Sequence, residues 1–345
     1  MKALKYILFL ILILIIGFTI YVAVQPNSFE VKRVQTINAP AEVVYNNVID
    51  FENWNSWSSW IENDPETVIT LGDKTKGVDG SYSWIDSKGK GKIKTLTTSE
   101  NVSIDQEMQL DDFAPSKLHW EFNSISKSQT EVVWKINSGN IPFMFKAYAL
   151  FSGGFDSMLG PDFERSLEKL DSIVMASMKV YSIKVDGITQ HGGGFYLYNT
   201  TSTKMDDFEN VMQNMLSKVS HYAQENNITT AGPPFILYHK WDETNNSVMF
   251  SSCIPTTSQI ITTENNILTG QLESFKAVKT ILKGDYSNLK EAWQTTMDYF
   301  PKNGLEMAEL GPMLEVYVTD ASKTPNPANW ITEIYIAVEE KQALK

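Results

Sequence analysis

Glu315 is the residue whose type and setting point most directly to chemistry. It lies in the strand-like run Gly311–Tyr317 (GPMLEVY), which aligns with Gly232–Tyr238 (GPPFILY) earlier in the chain. In this alignment Glu315 takes the place of Ile236. Because an isoleucine suits a strand face directed at an apolar interior, we expect Glu315 to point inward too, on the same face as Met313 and Tyr317. A carboxylate in such a place is costly without compensation, so the sequence predicts a polar binding centre here.

Aromatic residues are the predicted walls of this site, and each cation–π contact that they make is worth about 0.5–2 kcal/mol. The predicted ligand-binding set comprises Glu315, Tyr317, Tyr286, Trp293, Tyr335 and Tyr238. A bound cation or polar ligand would compensate the carboxylate. Two other interpretations stay open: Glu315 pairs with a lysine such as Lys283, or it faces solvent. Glu333 is a weaker candidate, because strand alternation can leave it on the wet face while Ile334 and Ile336 pack inside.

The chemistry of the site has two interpretations. In the favoured one the protein is a non-catalytic sensor or carrier, because the sequence has no nucleophile–base set and His191-Gly192-Gly193-Gly194 occurs without a G-x-S-x-G elbow. In the alternative, Glu315 activates water in a hydrolase of reactive small molecules, for which a raised carboxylate pKa would suit it. We expect no metal and no cofactor, because the histidines lack a second ligand at metal-like spacing and nucleotide-binding fingerprints are absent.

A second aromatic group recurs every three residues at Trp54, Trp57 and Trp60. These tryptophans either form the lip of an N-terminal cavity or pack their loop onto a sheet.

The N-terminal segment predicts a membrane anchor. From Tyr6 to Val24 the chain is almost wholly apolar, which is long enough to cross a bilayer. Lys2 and Lys5 favour a cytoplasmic N-terminus. We therefore expect residues 1–26 to be a single-pass anchor in the inner membrane of a bacterial-type cell, with the rest on the periplasmic, extracytoplasmic side. The alternative is a cleaved signal peptide, but the residues before Gln25 lack a small-x-small cleavage site.

The length and composition of the chain limit the number of domains, the possible partners and the possible disulfides. A chain of 345 residues favours two domains after the anchor. The formal charge of −12 would repel a phosphate backbone, so nucleic acid is excluded as an expected partner. The single cysteine, Cys253, excludes an intramolecular disulfide.

Residues 28–178 predict an α+β helix-grip domain: a strand at Phe29–Ile37, a helix after Pro40, several short strands, and a long helix from about Asp162 to Met178. The motifs Ile37-Asn38-Ala39-Pro40, Asp50-Phe51 with Trp54 and Trp57, Asp64-Pro65, Gly77 and Gly80 before Trp84, and Gly160-Pro161-Asp162-Phe163 resemble START-like polyketide cyclase/dehydrase (SRPBCC) domains. This resemblance implies a curved sheet around the last helix and an apolar cavity for a hydrophobic molecule.

Residues 180–340 predict a duplicated α+β domain. Each copy has an amphipathic helix before its GP-containing strand and a further strand after it, which implies a pseudo-twofold unit with a cleft between the halves. Lys283-Gly284-Asp285-Tyr286, Leu314-Glu315-Val316-Tyr317 and Thr332–Ile336 resemble the gyrase-inhibitor-like family, which includes effector-binding domains. The resemblance implies binding of small, often cationic or aromatic molecules at a glutamate matching Glu315.

Overall fold

The computed structural model describes residues 2–87 and 89–339, apart from the side chains of Lys2 and Asn63. Met1 and Glu340, which end two of the predicted segments, lie outside the described residues. The chain divides into two compact units, Met1–Ser177 and Met178–Lys345. The predicted α+β class, with an apolar N-terminal helix and two antiparallel sheets, is confirmed.

The first unit begins with helix α1 (Lys2–Ala23), in which Ala3–Ala23 is long and apolar enough to span a bilayer. An antiparallel sheet follows, in the order β1-β7-β6-β5-β4-β3-β2. Its strands are β1 (Ser28–Ile37), β2 (Val68–Leu71), β3 (Ser81–Asp86), β4 (Gly89–Ser99), β5 (Ser103–Leu110), β6 (Ser116–Ser126) and β7 (Gln129–Gly139). Alternating burial along β6 and β7 gives the sheet one apolar and one polar face.

Helices cover the apolar face of this sheet. They are α2 (Ala41–Val48), α3 (Trp54–Trp57), α4 (Ser59–Asn63), α5 (Phe143–Phe151) and α6 (Phe155–Met178). The long helix α6 begins seven residues before Asp162, the predicted start. Its first turns are tied to β1 by Arg33, whose guanidinium lies 2.7 Å from Asp156 and 2.6 Å from Glu164. Arg33 packs so closely on Gly160 that a side chain there would collide with it.

The second unit is an eight-stranded sheet of order β12-β9-β11-β10-β14-β15-β13-β8. Its strands are β8 (Ser182–His191), β9 (Gly194–Lys204), β10 (Phe235–Asp242), β11 (Ser247–Thr256), β12 (Leu268–Leu272), β13 (Phe275–Lys283), β14 (Met313–Tyr317) and β15 (Ile331–Ala337). Helices α7 (Phe208–Glu225) and α8 (Leu289–Lys302) pack their apolar stripes on one face of the sheet.

The strand order confirms the predicted pseudo-twofold. The strands β9, β11 and β10 of one half mirror β13, β15 and β14 of the other, and β10 and β14 meet at the centre. The structure adds a strand to each copy. β8 precedes the first copy but pairs with β13 of the second, while β12 precedes the second copy but pairs with β9 of the first.

Candidate functional site

Glu315 lies at the centre of the second unit. In the antiparallel pair of β10 and β14, Glu315 and Ile236 are direct Cα partners, so the two aligned positions of the repeat meet across the pseudo-twofold axis. Both side chains point to the face that carries α7 and α8, because Ile236 packs in the same cluster as Tyr238, Phe250 and Tyr317. Glu315 is only 2 % exposed. Glu315 therefore points inward, as expected from its alignment with Ile236.

Three neutral donors hold the carboxylate of Glu315. The Tyr317 hydroxyl donates to Oε1 in a short hydrogen bond. The Trp293 indole Nε1 donates to Oε2 at 2.7 Å, and the Tyr238 hydroxyl donates to the same oxygen at 3.3 Å. No lysine or arginine of the described residues is among these partners, and the side chain is not solvated. Both open alternatives, a lysine pair and an exposed glutamate, are therefore wrong.

The internal repeat explains how this set of donors arises. Tyr238 and Tyr317 are the aligned tyrosines of the two copies, each two residues after the axial position, so they approach Glu315 from its two sides. Trp293 on α8 aligns with Met212 on α7, which packs in the same cluster without a polar group. The first copy therefore pairs methionine with isoleucine, whereas the second pairs an indole donor with a carboxylate.

Burial sets the electrostatics of this group. Desolvation raises the pKa of Glu315, and the hydrogen bonds from Tyr317, Trp293 and Tyr238 lower it only in part. Burial, together with the charge of Glu315, holds the pKa of Tyr238 and of Tyr317 well above the ordinary value. Both tyrosines consequently stay neutral donors at physiological pH.

Further aromatic rings extend the site on the side of Tyr317. Tyr286 meets Tyr317 edge-on, with ring centroids 5.4 Å apart, and the Trp330 ring lies 4.6 Å from that of Tyr286. Tyr238 meets Trp293 edge-on at 5.3 Å. Four of the five predicted aromatic residues are thus brought together. Trp330 was missed, although its position as a tryptophan just before β15 was visible in the sequence.

Tyr335 is a correction to the predicted set. It is the Cα partner of Leu314, so it lies on the sheet face opposite Glu315 and cannot form a wall of this site. There its hydroxyl donates to Glu333 at 2.6 Å, and Lys279 pairs with the same carboxylate at 2.8 Å. Among the residues that the structure describes, no group of three or more His, Cys, Asp or Glu side chains could hold a metal ion.

The tryptophans of the first unit are the second correction. Trp54 and Trp57 are fully buried, so they pack the core instead of forming the lip of a cavity; Trp60 is half-buried. They meet Trp120 and Trp134, whose rings stack at 4.2 Å, and Trp134 stacks on Phe163 of α6 at 3.9 Å. The alternative interpretation, in which the loop packs onto the sheet, describes Trp54 and Trp57.

A small cavity remains between the sheet and α5 in the first unit. Its volume is about 50 Å³, and its lining includes Phe29, Met108, Phe113, Phe145 and Leu159. Since a single water occupies about 10–15 Å³ of such space, the cavity is too small for a sizeable hydrophobic molecule without rearrangement. The fully buried rings of Trp54, Trp57, Trp120 and Trp134 lie in the interior of this unit.

These features define a two-domain α+β protein whose second domain carries a buried carboxylate among aromatic rings. Residues 176–339 match the model of the GyrI-like small molecule binding domain, and residues 37–165 match that of the polyketide cyclase / dehydrase and lipid transport family. The two matches follow one another along the chain in the order that the resemblances predict. The Glu315 site lies wholly within the GyrI-like match.

Solved structures similar to this chain include three with low sequence identity. The EcmrR C-terminal domain is 19% identical, with 47% of this chain and 99% of that chain covered and a TM-score of 0.41. An integron cassette protein of Vibrio cholerae is 19% identical, with coverages of 46% and 99% and a TM-score of 0.31. The protein SAV2435, solved with tetraphenylphosphonium, is 12% identical, with coverages of 45% and 94% and a TM-score of 0.35. The comparison with curated proteins found no match.

Proposed function

We propose that this protein is a membrane-anchored, extracytoplasmic binding protein, a sensor or carrier, whose GyrI-like domain takes small cationic aromatic molecules at Glu315. One observation carries the proposal: the carboxylate is buried and held by Tyr317, Trp293 and Tyr238, all of them neutral. Neutral donors orient a carboxylate but do not cancel its charge. An ionised Glu315 therefore favours a cation among the neighbouring rings.

The aromatic residues suit the same class of ligand. Tyr286, Trp293 and Trp330 are half-buried, so their rings are the part of the site that an incoming molecule can meet. A cation over such a face gains about 0.5–2 kcal/mol for each ring, and more as water is removed. A flat or multi-ring aromatic cation would use both the charge and the rings.

Tetraphenylphosphonium is a suitable probe because its charge is permanent and its surface is aromatic. Binding is measured by titration calorimetry on the full chain in detergent micelles. We expect Glu315→Gln to weaken binding at least about tenfold, which is about 1.4 kcal/mol. The glutamine can keep its oxygen towards Trp293 and Tyr238 and direct its amide N–H at the Tyr317 hydroxyl, so the site keeps its shape.

Glu333→Gln is the matched control, because Glu333 lies on the opposite face of the same sheet. This variant should bind the cation like the wild type. Neutral triphenylphosphine oxide should bind equally to all three proteins. Equal affinity of the wild type and Glu315→Gln for the cation would refute the proposed site.

The hydrolase alternative is decided in parallel, by offering the same proteins reactive electrophiles such as activated esters and epoxides. Turnover that Glu315→Gln abolishes and Glu333→Gln spares would make the second domain an enzyme. Saturable binding without turnover supports the sensor or carrier.

Membrane anchoring is the other part of the proposal, and it is supported by the apolar helix Ala3–Ala23, with Lys2 just before it and Lys5 in its first turn. We expect the protein to stay with membranes in alkaline carbonate and to be released by detergent. In spheroplasts, external protease should degrade both domains. Release by carbonate, or a mature N-terminus near Gln25, would contradict the anchor.

A further inference from the structure

The short helix α5 lies at the end of the first unit where the chain leaves α1. β1 begins at Ser28, a few residues after α1, and Ser28 is the Cα partner of Gly139, the last residue of β7. The backbone N–H of Ile141 donates to the carbonyl of Asn27 at 3.3 Å. α5 begins at Phe143, so the end of α1 and the start of α5 are held side by side.

Two contacts then fix α5 against α1. The ammonium of Lys146 donates to the carbonyl of Gln25 at 3.0 Å, just beyond the last turn of α1. Further along α5, the ring of Phe151 lies 5.0 Å from that of Phe18. Phe18 is five residues before Ala23, the end of α1, which is about 7.5 Å along a helix. The far end of α5 therefore lies deeper along α1 than its start.

The outward side of α5 is apolar. Met144, Tyr148 and Phe151 follow a spacing of i, i+4 and i+7, and they are 75 %, 61 % and 79 % exposed. Lys146, the single charged residue in the sequence of this helix, is turned inward to Gln25. Exposing a stripe of three large side chains without a charge to water is unfavourable.

We propose that α5 is an interfacial helix, with Met144, Tyr148 and Phe151 embedded in the leaflet from which α1 emerges. The proposal rests on the proposed function in one respect, namely that α1 spans a membrane. The depth of the Phe18–Phe151 contact matches the roughly 5–10 Å to which interfacial helices bury their apolar faces. A bilayer is the occupant that the geometry favours, because α1 brings the lipid surface to this level of the unit.

The chemistry of the stripe also selects the kind of lipid contact. Interfacial helices that depend on anionic lipids carry several lysines or arginines on their polar face, whereas α5 carries one inward lysine. Tyr148 suits the headgroup level, where tyrosine is enriched. Embedding should therefore occur in zwitterionic phosphatidylcholine. It would hold the first unit close to the membrane, with the small cavity at Phe29 and Phe145 at the same end of the sheet.

Spin labels on the full chain in phosphatidylcholine vesicles test this inference. Labels are introduced by Met144→Cys and Tyr148→Cys on α5, by Leu12→Cys in the middle of α1, and by Ile125→Cys near the opposite end of the sheet. Leu12 and Ile125 are 50 % and 56 % exposed, so labels fit there. Cys253 is buried, and the unsubstituted protein gives its background. Collisions with oxygen report lipid, and collisions with the water-soluble complex nickel-EDDA report solvent.

At positions 144 and 148 we expect an oxygen to nickel accessibility ratio several times that at position 125. Free access of nickel-EDDA to positions 144 and 148 would overturn the inference, and so would low access of both reagents, since that would mean cover by protein, such as a second copy of the chain. Position 12 reports separately on the proposed anchor. A water-exposed label there would refute the membrane span, whereas a lipid-exposed label at 12 with water-exposed labels on α5 would refute the interfacial helix alone.

Discussion

Replacing Tyr317 with phenylalanine tests whether Glu315 is held as a buried, ionisable carboxylate. The substitution removes the hydroxyl that donates to Oε1 and leaves Trp293 and Tyr238 on Oε2. A hydrogen bond to a charged group contributes about 1.5–3 kcal/mol, and one between neutral groups about 0.5–1.5 kcal/mol. Tyr317→Phe should therefore cost about 1–1.5 kcal/mol more when residue 315 is an ionised glutamate than when it is glutamine. This difference is the coupling energy of a double-mutant cycle.

The coupling energy should depend on pH with a defined sign. Burial raises the pKa of folded Glu315 above its ordinary value of 4.5. Between the unfolded and folded pKa values the folded protein binds the extra proton, so its free energy of unfolding decreases as pH rises through this interval. Above the folded pKa the buried carboxylate is charged, and the bond from Tyr317 is at its strongest. The coupling energy should thus be largest at high pH, where Glu315 is charged. As pH decreases it should fall towards the smaller value expected for a protonated, uncharged Glu315.

Amide hydrogen exchange in β10 and β14 measures the free energy of opening of this unit. The measurement uses the full chain in mild detergent, at increasing urea concentrations and between about pH 5 and pH 9. Tyr335→Phe combined with Glu315→Gln is the control, because Tyr335 binds Glu333 on the opposite face and the two effects should add. A coupling of Tyr317 to Glu315 below about 0.5 kcal/mol at every pH would refute the reasoning, since that is the scatter of independent sites.

Three further predictions concern the ligand, the core and the division of the chain. Tetraphenylphosphonium should bind more tightly as pH rises through the folded pKa of Glu315, whereas its affinity for Glu315→Gln should not change with pH; calorimetry at several pH values checks this. Leu170→Ala, at a fully buried position of α6, should cost about 2–5 kcal/mol in urea unfolding, while Val68→Ala, at an exposed position, should stay within about 0.5 kcal/mol. The two units should fold independently, with limited proteolysis cutting at Lys179–Tyr181 between α6 and β8; a fragment without a cooperative transition would contradict this.

Local patterns in the sequence were sufficient to predict much of the fold and the centre of the site. Alternation predicted β1, and short runs separated by turn residues predicted most other strands of the first unit. The repeat predicted the direction of Glu315 through its partner Ile236. The sequence also predicts the sheet face on which Tyr335 lies, because this residue is two positions from Glu333 and adjacent to the inward-facing Ile334 and Ile336. Its inclusion in the predicted site followed residue type and overlooked strand period.

Other features depended on contacts that no local pattern contains. Trp54 and Trp57 fill the interior because Trp120 and Trp134, far away in sequence, lie opposite them on β6 and β7. A spacing of three residues gives no information on depth. Likewise, two of the three donors to Glu315 are distant in sequence, Tyr238 on the neighbouring strand and Trp293 on α8. The sequence therefore predicted the need for compensation but not that neutral groups supply it.

The exchange of first strands between the two repeats determines how the second unit unfolds. β8 completes the half that contains β13, and β12 completes the half that contains β9. In a tandem-repeat array a unit touches only its neighbours and can open alone. Here, loss of either repeat would strip an outer strand from the other, so both must unfold in one cooperative step. A chain ending at Thr256 would contain every element of the first copy and still lack the strand that closes its sheet, so a duplicated sequence has produced an indivisible structure.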